Sequence, residues 1–395
     1  MSEWKEYMLG DVADVQTGPF GSQLHMDDYK EIGTPIITVE HLGDNRIMHN
    51  NLPLVGDEDK ERLKKYTLCE GDIVFSRVGS VDRRAFVSSR ENGWLFSGRC
   101  LRVRPLQSVN SRFLSYYFGL EGFKETIRRI AVGATMPSIN TSILSNVTVY
   151  LPHLDEQKQI AGVLSSLDDK IDLLNRENVT LEALAETLFR HYFIENPDST
   201  WKEGKLGDIL SVKGGTTPST NEPKYWNGNI AWTSPRDVTT LNGMYLFKTE
   251  RTITEEGLAK ISSGLLPAGT LLMSSRAPVG VLAFAEIPVA INQGYIAIID
   301  DKGYPKEFIY LWLKENMEAV HSYSNGSTFM EISKTAFKSI DITIPDKQTV
   351  IEFNKQIKPL FEKIKTNQQQ ILTLSIQRDL ILPHLMSCDE TTLWQ

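Results

Sequence analysis

Residues 160–188, IAGVLSSLDDKIDLLNRENVTLEALAETL, carry the hydrophobic pattern that decides the fold. Apolar residues recur there at alternating steps of four and three, the spacing of a heptad seam between two helices. The seam comprises Ile160, Leu164, Leu167, Ile171, Leu174, Asn178, Leu181, Ala185 and Leu188. A second seam with the same steps comprises Phe353, Ile357, Leu360, Ile364, Asn367, Ile371, Leu374, Arg378 and Ile381. The sequence therefore predicts two long helices that pair, the alternative being two amphipathic helices that each pack on their own domain.

The polar members of the seams indicate how the helices pair. Asn178 falls at an a-type position and Asn367 at a d-type position, and we expect such layers to meet when the helices run antiparallel. Pairing the two asparagines gives a register in which paired residue numbers add up to 545. We expect the two amides to satisfy each other and to fix this register. Arg378, opposite Leu167, is expected to reach water from near a helix end.

The chain outside the helices consists of two similar halves. Four blocks recur in the same order, which indicates a duplicated unit. The blocks of the first half are Trp4-Lys5 with Leu9-Gly10-Asp11-Val12, residues 70–76 with Arg77 and Gly79, Gly133-Ala134-Thr135-Met136 with Ile139, and residues 147–152. Their counterparts are Trp201-Lys202 with Leu206-Gly207-Asp208-Ile209, residues 268–274 with Arg276 and Gly280, Gly326-Ser327-Thr328-Phe329 with Ile332, and residues 340–345.

Each half is predicted to be a mixed α/β domain. Short runs rich in β-branched and aromatic residues, bounded by Gly, Pro or charged residues, predict strands at 36–39, 72–75, 101–104, 271–273 and 295–299. One amphipathic helix per half is predicted near 113–130 and 307–320. The predicted organisation is a first domain at 1–152, a first helical region at 153–196, a second domain at 197–345 and a second helical region at 346–395.

The composition is typical of a soluble globular protein, with 41% hydrophobic and 23% charged residues. The sequence contains no apolar run near the roughly 20 residues that cross a bilayer, so no membrane association is expected. Three widely separated cysteines argue against a disulfide framework and a zinc site, and we expect a reducing cytoplasm.

Several stretches resemble the specificity subunits of type I restriction–modification systems, a bacterial defence. Residues 155–172, Leu188-Phe189 with Phe193, and residues 378–387 are similar to the conserved regions of that family. The openings Trp4 with Leu9-Gly10-Asp11 and Trp201 with Leu206-Gly207-Asp208 resemble the start of its target-recognition domains. The resemblance spans nearly the whole chain, and the duplicated order is its most specific part.

The resemblance implies a non-catalytic subunit that reads a two-part site in double-stranded DNA, one half per recognition domain. It also implies an antiparallel coiled coil that fixes the half-site separation. Two methyltransferase subunits and the restriction, or translocase, subunits are the implied partners. S-adenosylmethionine, ATP and Mg²⁺ are then expected on those partners, with no cofactor and no metal on this chain.

The net charge of −8 bears on this expectation, because DNA-binding proteins are usually basic. Residues 151–200 hold 4 Lys+Arg against 10 Asp+Glu, so −6 of the −8 lies in one helical segment. Neither domain is basic overall, and any DNA-binding face must therefore be a local patch. We expect partner subunits to supply much of the phosphate affinity.

Candidate DNA-contacting residues are arginines, amides and hydroxyl-bearing glycine turns. Arginine binds phosphate or guanine, Asn and Gln pair with adenine, and backbone N–H groups in a turn bind phosphate. The candidates in the first half are Phe20, Ser22, Gln23, Arg77, Arg83, Arg84, Arg99 and Thr135. Those in the second half are Thr216, Thr217, Arg236, Arg276, Asn292, Gln293 and Thr328. The alternatives are ordinary exposed arginines, tight turns and hydrogen-bonded core amides.

Motifs for catalysis are missing from the sequence. It contains no G-x-x-x-x-G-K-[ST] loop, no G-x-G-x-x-G fingerprint and no H-E-x-x-H. Pro197-Asp198 followed by Glu203 and Lys205 imitates a nuclease pattern, but four intervening residues cannot place the carboxylates on neighbouring strands around a metal. A single-chain DNA methyltransferase or nuclease with atypical motifs remains the alternative, and a coiled-coil adaptor without a DNA role is a third hypothesis.

Overall fold

The computed structural model describes residues 4–19, 23–25, 28–299, 302–326 and 330–386. The chain forms two compact units. Unit 1 consists of Met1–Lys170 and Leu374–Gln395, and unit 2 consists of Ile171–Thr373. Each unit contains one α/β domain and parts of both long helices, so the units divide the helices rather than follow their ends.

The described residues of unit 1 form ten strands, arranged in two sheets and a separate pair. The strands are β1 (Lys5–Met8), β2 (Ala13–Thr17), β3 (Tyr29–Lys30), β4 (Thr34–Ile37), β5 (Leu54–Val55), β6 (Ile73–Ser76), β7 (Arg84–Phe86), β8 (Leu95–Phe96), β9 (Cys100–Pro105) and β10 (Thr148–Leu151). The larger sheet has the order β2-β9-β6-β7 and the smaller one β3-β5-β4-β8. β1 and β10 pair antiparallel, with Lys5 opposite Leu151, and so join the two ends of the domain.

Most short helices of unit 1 pack on one face of its larger sheet, the exception being Asp57–Arg62, which has no buried residue. The short helices are α1 (Leu9–Val12), α2 (Asp57–Arg62), α3 (Ser111–Tyr117), α4 (Glu121–Ile130) and α5 (Thr141–Ser145). Alternate residues of β6 point to opposite faces: Ile73 and Phe75 pack with the helices, and Val74 packs with the smaller sheet. The larger sheet is therefore the middle layer of the domain.

Unit 2 repeats this arrangement after the first long helix, α6 (Leu154–Arg190). Its short helices are α7 (Leu206–Ile209), α8 (Pro235–Thr239), α9 (Glu255–Leu258), α10 (Lys306–Glu315), α11 (Met317–Ser322) and α12 (Lys334–Lys338). Its strands are β11 (Lys202–Lys205), β12 (Ser211–Lys213), β13 (Trp226–Thr233), β14 (Tyr245–Leu246), β15 (Arg251–Ile253), β16 (Thr270–Ser274), β17 (Leu282–Ala285), β18 (Val289–Ile291), β19 (Tyr295–Ile299) and β20 (Asp341–Ile344). The second long helix is α13 (Lys347–Leu385).

The strands of unit 2 that have counterparts in unit 1 follow the same order, but among the described residues the larger sheet has one strand more, β14, and the smaller sheet has one strand fewer. The larger sheet is β12-β19-β16-β17-β14, the smaller one is β15-β13-β18, and β11 pairs with β20. In β16, Leu271 and Met273 face the helices, whereas Leu272 faces the opposite cluster. The mixed α/β class and the duplication predicted from the sequence are confirmed.

Several predicted elements differ in extent from those observed. The helix expected over 113–130 is two helices, α3 and α4, and a side chain at Gly119 in the break would meet the guanidinium of Arg84. The helix expected over 307–320 is also two, α10 and α11, because Asn316 Nδ2 donates to the carbonyl of Trp312 at 2.9 Å and ends α10. The strand expected at 36–39 ends at Ile37. Thr38 and His41 cap a 3-10 turn there.

The predicted seam residues of the long helices are all buried or half-buried. The buried ones are Ile160, Leu164, Ile171, Leu174, Ala185, Phe353, Ile357, Ile364 and Asn367. The half-buried ones are Leu167, Asn178, Leu181, Leu188, Leu360, Ile371, Leu374, Arg378 and Ile381.

The helix segments within unit 2 run antiparallel, as the seam register predicts. Asn367 Nδ2 donates to Asn178 Oδ1 at 2.9 Å and to Glu177 Oε2 at 2.9 Å. The expectation that the pair satisfies both amides is only half met, because Asn367 Oδ1 has no hydrogen-bond partner among the described residues. The asparagine contact therefore fixes the register at the cost of one unmatched acceptor.

Gln368 joins the second long helix to the domain of unit 2. Its Oε1 accepts the N–H groups of Met244 (3.2 Å) and Tyr245 (3.0 Å), and its Nε2 donates to the Tyr245 carbonyl at 2.7 Å. The side chain thus hydrogen-bonds to the backbone of β14, the edge strand of the larger sheet. Tyr245 also donates its hydroxyl proton to the Phe361 carbonyl at 2.9 Å.

Arg378 does not reach water as expected from the sequence. Its side chain is only 12% exposed, and its guanidinium pairs with Asp168 at 2.9 Å and with Asp44 at 3.3 Å, all within unit 1. A guanidinium at a seam position is accommodated here because carboxylates accept its hydrogen bonds. No helix among the described residues is long and apolar enough to span a bilayer.

Candidate nucleic-acid interface

Three candidate segments of unit 1 meet at the ends of β2, β6 and β9. The Arg77 N–H donates to the carbonyl of Arg99 at 2.8 Å, and the Arg77 guanidinium donates to the Gly98 carbonyl at 3.2 Å. Gly18, which begins the glycine-rich loop after β2, donates its N–H to the Cys100 carbonyl at 3.2 Å. This edge therefore brings together Arg77, Arg99 and the start of the loop.

The Thr135 turn lies against the same edge. The Ile139 N–H donates to the Arg77 carbonyl at 2.9 Å, and the Gly79 N–H donates to the Pro137 carbonyl at 2.8 Å. Gly133 has a φ of +114°, a conformation that favours glycine. Thr135 is exposed at the tip of this turn, as a phosphate-contacting hydroxyl requires.

The remaining candidates of unit 1 do not join this edge. Phe20 and Ser22 lie outside the described residues, and Gln23 accepts a hydrogen bond from the Tyr66 hydroxyl at 2.7 Å beside the smaller sheet. Arg83 is exposed and donates to the Leu42 carbonyl. Arg84 is only 5% exposed, and its Nε donates to the Ser115 carbonyl at 3.0 Å, so its guanidinium has no access to a duplex.

The corresponding segments of unit 2 meet in the same way. The Thr217 hydroxyl donates to Gln293 Oε1 at 2.6 Å, and the Thr216 hydroxyl donates to the Lys260 carbonyl at 2.7 Å. Asn292 is 9% exposed, and its Oδ1 accepts the Gly294 N–H at 2.8 Å, so Asn292 shapes the turn that presents Gln293. Gln293 itself is exposed.

Arg236 and Arg276 lie beside this turn in unit 2. The Ser275 N–H donates to the Gly294 carbonyl at 2.8 Å, which places the following residue, Arg276, at the edge. Arg236, on α8, is exposed and pairs with Glu250 at 3.7 Å. Thr328 lies outside the described residues.

The hydrogen bonds show that Arg77 and Arg276 are not equivalent, although each arginine shortly follows the same repeated block. Arg77 donates its N–H to Arg99 and accepts from Ile139, whereas Ser275 donates to Gly294 and accepts from Ile332. Arg77 therefore corresponds to Ser275, and Arg276 is one residue further along. The backbone frame is shared by the two units, but the side chains on it differ.

A basic and aromatic group beside the unit 2 edge was missed in the sequence. The Arg251 guanidinium lies 3.5 Å from the ring centroid of Trp226 and 5.6 Å from that of Trp232. A side chain at Gly214 would meet Lys334 Nζ at 2.8 Å, so this lysine borders the loop after β12. The signal that could have found the group is the spacing of the two tryptophans before Arg251.

The nuclease-like residues do not come together as a site. Glu203 accepts from the Thr343 hydroxyl at 3.0 Å, and Lys205 pairs with Asp341 across β11 and β20. Asp198 accepts the Thr200 N–H at 2.8 Å. In the part of the chain that the structure describes, no three His, Cys, Asp or Glu residues are grouped to hold a metal ion.

Comparison with known proteins shows that the same family model matches both halves of the chain. A family model for the "Type I restriction modification DNA specificity domain" matches residues 1–183 and 198–375. The chain is 35% identical over 192 residues to the type I restriction enzyme MjaIX specificity subunit of Methanocaldococcus jannaschii, a match that covers 47% of this chain and 44% of that protein. It is 23% identical to the type I restriction enzyme HindI specificity subunit of Haemophilus influenzae, over 98% of this chain and 99% of that one.

A solved structure shares the fold. The crystal structure of the type I restriction–modification S subunit from M. genitalium superposes with a TM-score of 0.62 at 16% identity, over 98% of this chain and 96% of that one. The two matches to the specificity domain together cover most of the chain. The chain therefore belongs to the family of type I restriction–modification DNA specificity subunits.

Proposed function

We propose that the chain reads a two-part DNA target, with the domain of unit 1 on one half and the domain of unit 2 on the other. The observation that supports this proposal is that the two domains share a backbone frame that carries different side chains. Arg77, Arg99 and Thr135 occupy it in unit 1, whereas Arg276 and Gln293 occupy it in unit 2. A shared backbone frame would place both domains on DNA in the same way. Different side chains on that frame would contact different bases.

The proposal extends to the partners of the chain. Methyltransferase and restriction subunits are proposed to assemble on it, because it belongs to a family of specificity subunits. Methylation and cleavage are then reactions of those subunits, which would bind S-adenosylmethionine, ATP and Mg²⁺. The alternative of a single-chain methyltransferase or nuclease has no support in the matched family.

A domain exchange tests the proposal. Residues 201–345 are replaced by the second recognition domain of another specificity subunit, with cut points that keep the pairing of β11 with β20 intact. We expect methylome sequencing of cells expressing the assembled complex to show that one half of the methylated site changes while the other half is retained. The reason is that each half is read by side chains of one domain.

The matched control is the reciprocal exchange of residues 4–152, which should change the other half. If either exchange altered both halves, the two domains would not read independently. If the starting complex methylated no two-part sequence, the proposed function would be wrong.

A further inference from the structure

A network of charged side chains lies within unit 1, where the last turns of α13 meet the domain. Arg378 pairs with Asp168 of α6 at 2.9 Å and with Asp44 at 3.3 Å. Tyr116 of α3 donates its hydroxyl proton to the other oxygen of Asp168 at 2.6 Å. The network therefore links both long helices to the domain that they carry.

Asp44 lies between two guanidinium groups. One belongs to Arg378 and the other to Arg84, which is 3.8 Å away and 5% exposed. Burial lowers the pKa of Arg84 to about 10, and the Asp44 carboxylate acts in the opposite direction. Burial would also lower the pKa of Arg378, but Asp168, Asp379 and Asp44 raise it well above its ordinary value. Both arginines are charged at neutral pH, and their mutual repulsion makes the carboxylates between them necessary.

The turn that carries Asp44 is held firmly to the domain. Leu42 and Ile47 form an isolated bridge across it, and Asn45 has a φ of +56°, which asparagine tolerates. The Ser115 hydroxyl donates to Asn45 Oδ1, and the Ser115 carbonyl accepts from Arg84. Because the turn is rigid, a contact from Arg378 to Asp44 fixes the orientation of the domain on the helices.

Unit 2 has an apolar core at the equivalent places. The two seams are offset by 193 residues, so Asp168 corresponds to Phe361 and Arg378 to Ala185. Phe361 is 2% exposed and Ala185 is fully buried. An uncharged pair is therefore compatible with this helix packing, and the charges of unit 1 are not needed to form the seam.

We propose that Arg378 is a positioning residue that holds the unit 1 domain in one orientation on the long helices and thereby restricts the spacer between the two DNA half-sites. Charged hydrogen bonds are directional, whereas an apolar contact tolerates small rotations. The inference rests on the proposed function, because only a reader of two half-sites has a preferred spacer.

The test uses the assembled complex and DNA duplexes with the native spacer or with one base pair more or fewer. The variants are Arg378→Ala and the pair Asp168→Phe/Arg378→Ala, which copies the residues of unit 2. We expect both to methylate the native site, while the preference for the native spacer falls about tenfold, within the usual range of coupling between sites. Arg378→Lys, which retains the charge but loses the planar fork, should give an intermediate preference.

The matched control is Arg112→Ala, which removes an exposed ion pair (3.1 Å) between α3 and Asp169 of α6. It should leave the spacer preference unchanged. An unchanged preference in the Asp168→Phe/Arg378→Ala complex would overturn the inference, and Arg378→Lys decides the question if the other variants do not fold. A wild-type complex without any spacer preference would contradict the proposed function instead.

Discussion

The two domains differ at one pair of equivalent positions where they meet the long helices. In unit 1 these positions are charged, with Arg378 between Asp168 and Asp44. In unit 2 the equivalent residues, Phe361 and Ala185, are apolar, and Gln368 hydrogen-bonds to the backbone of Met244 and of Tyr245 in β14. The two units thus share their sheets and the helix seam, but the contacts between each domain and the long helices differ at these positions.

This difference teaches which parts of the fold are interchangeable. Replacing a buried ion pair by apolar residues is often neutral or stabilising, whereas removing one member of a pair is costly. The two units therefore respond differently to the same substitution, and three predictions follow from that difference.

The largest effect is expected for Phe361→Asp, which places the carboxylate of unit 1 in the apolar core of unit 2. Phe361 packs against Tyr310 and Phe284, with ring centroids 5.7 Å and 6.0 Å away. We expect the free energy of unfolding of unit 2 to fall by about 4 kcal/mol, because the ring is lost and an unpaired charge is buried. Denaturant unfolding followed by tryptophan fluorescence measures it.

The matched control is Phe361→Leu, which should cost about 1 kcal/mol. Adding Ala185→Arg to Phe361→Asp recreates the pair of unit 1 and should recover part of the lost stability. Equal unfolding midpoints for Phe361→Asp and Phe361→Leu would show that the position is not the apolar counterpart described here.

A smaller effect is expected at the asparagine pair of unit 2. Asn367→Leu removes the donor to Asn178 and Glu177, and leaving polar groups unmatched costs about 2 kcal/mol. Asn178→Leu/Asn367→Leu removes both amides, and its cost should be less than the sum of the two single substitutions. A double-mutant cycle measures this coupling, and additive effects would mean that the two amides do not interact.

The smallest effect concerns the accessibility of a buried thiol in unit 1. Cys100 is buried in unit 1, and burial raises the pKa of its thiol to about 12, with the Ser97 hydroxyl acting in the opposite direction. In a Cys69→Ser/Cys388→Ser background, a thiol reagent at pH 8 should therefore label Cys100 only when unit 1 opens.

The same labelling compares the two units. Arg378→Ala should raise the labelling rate of Cys100 by about tenfold, because it loosens unit 1. Phe361→Leu, a change within unit 2, should leave the labelling rate of Cys100 unchanged. Equal acceleration by both variants would mean that the units do not open separately.

Periodic features of the fold were predictable from sequence, and features made by tertiary contacts were not. The heptad steps predicted both long helices and the contact of Asn178 with Asn367, because a seam repeats along the chain. The close approach of Arg84 to Gly119, in the break between α3 and α4, could not be predicted, since Arg84 lies on a distant strand. The role of Arg378 was misjudged for the same reason, because Asp44 is far away in the sequence.

The candidate interface was predictable in part. Repeated blocks identified the segments that meet at each edge, because a duplicated frame keeps its glycine turns and strand ends. They could not show that Arg84 is buried, because its burial depends on contacts with residues far away in the sequence. The contacts of these residues with DNA stay predictions.

The composition of unit 1 has a consequence for synthesis on the ribosome. Met386 is 1% exposed in the unit 1 core, and Leu382 and Leu385 pack against the same cluster. These residues leave the ribosome after all of unit 2, which is about 200 residues or roughly 10–40 s of translation. Part of the unit 1 core therefore stays uncovered during synthesis, while unit 2 can already fold. Unit 1 begins to be translated first but completes its core last.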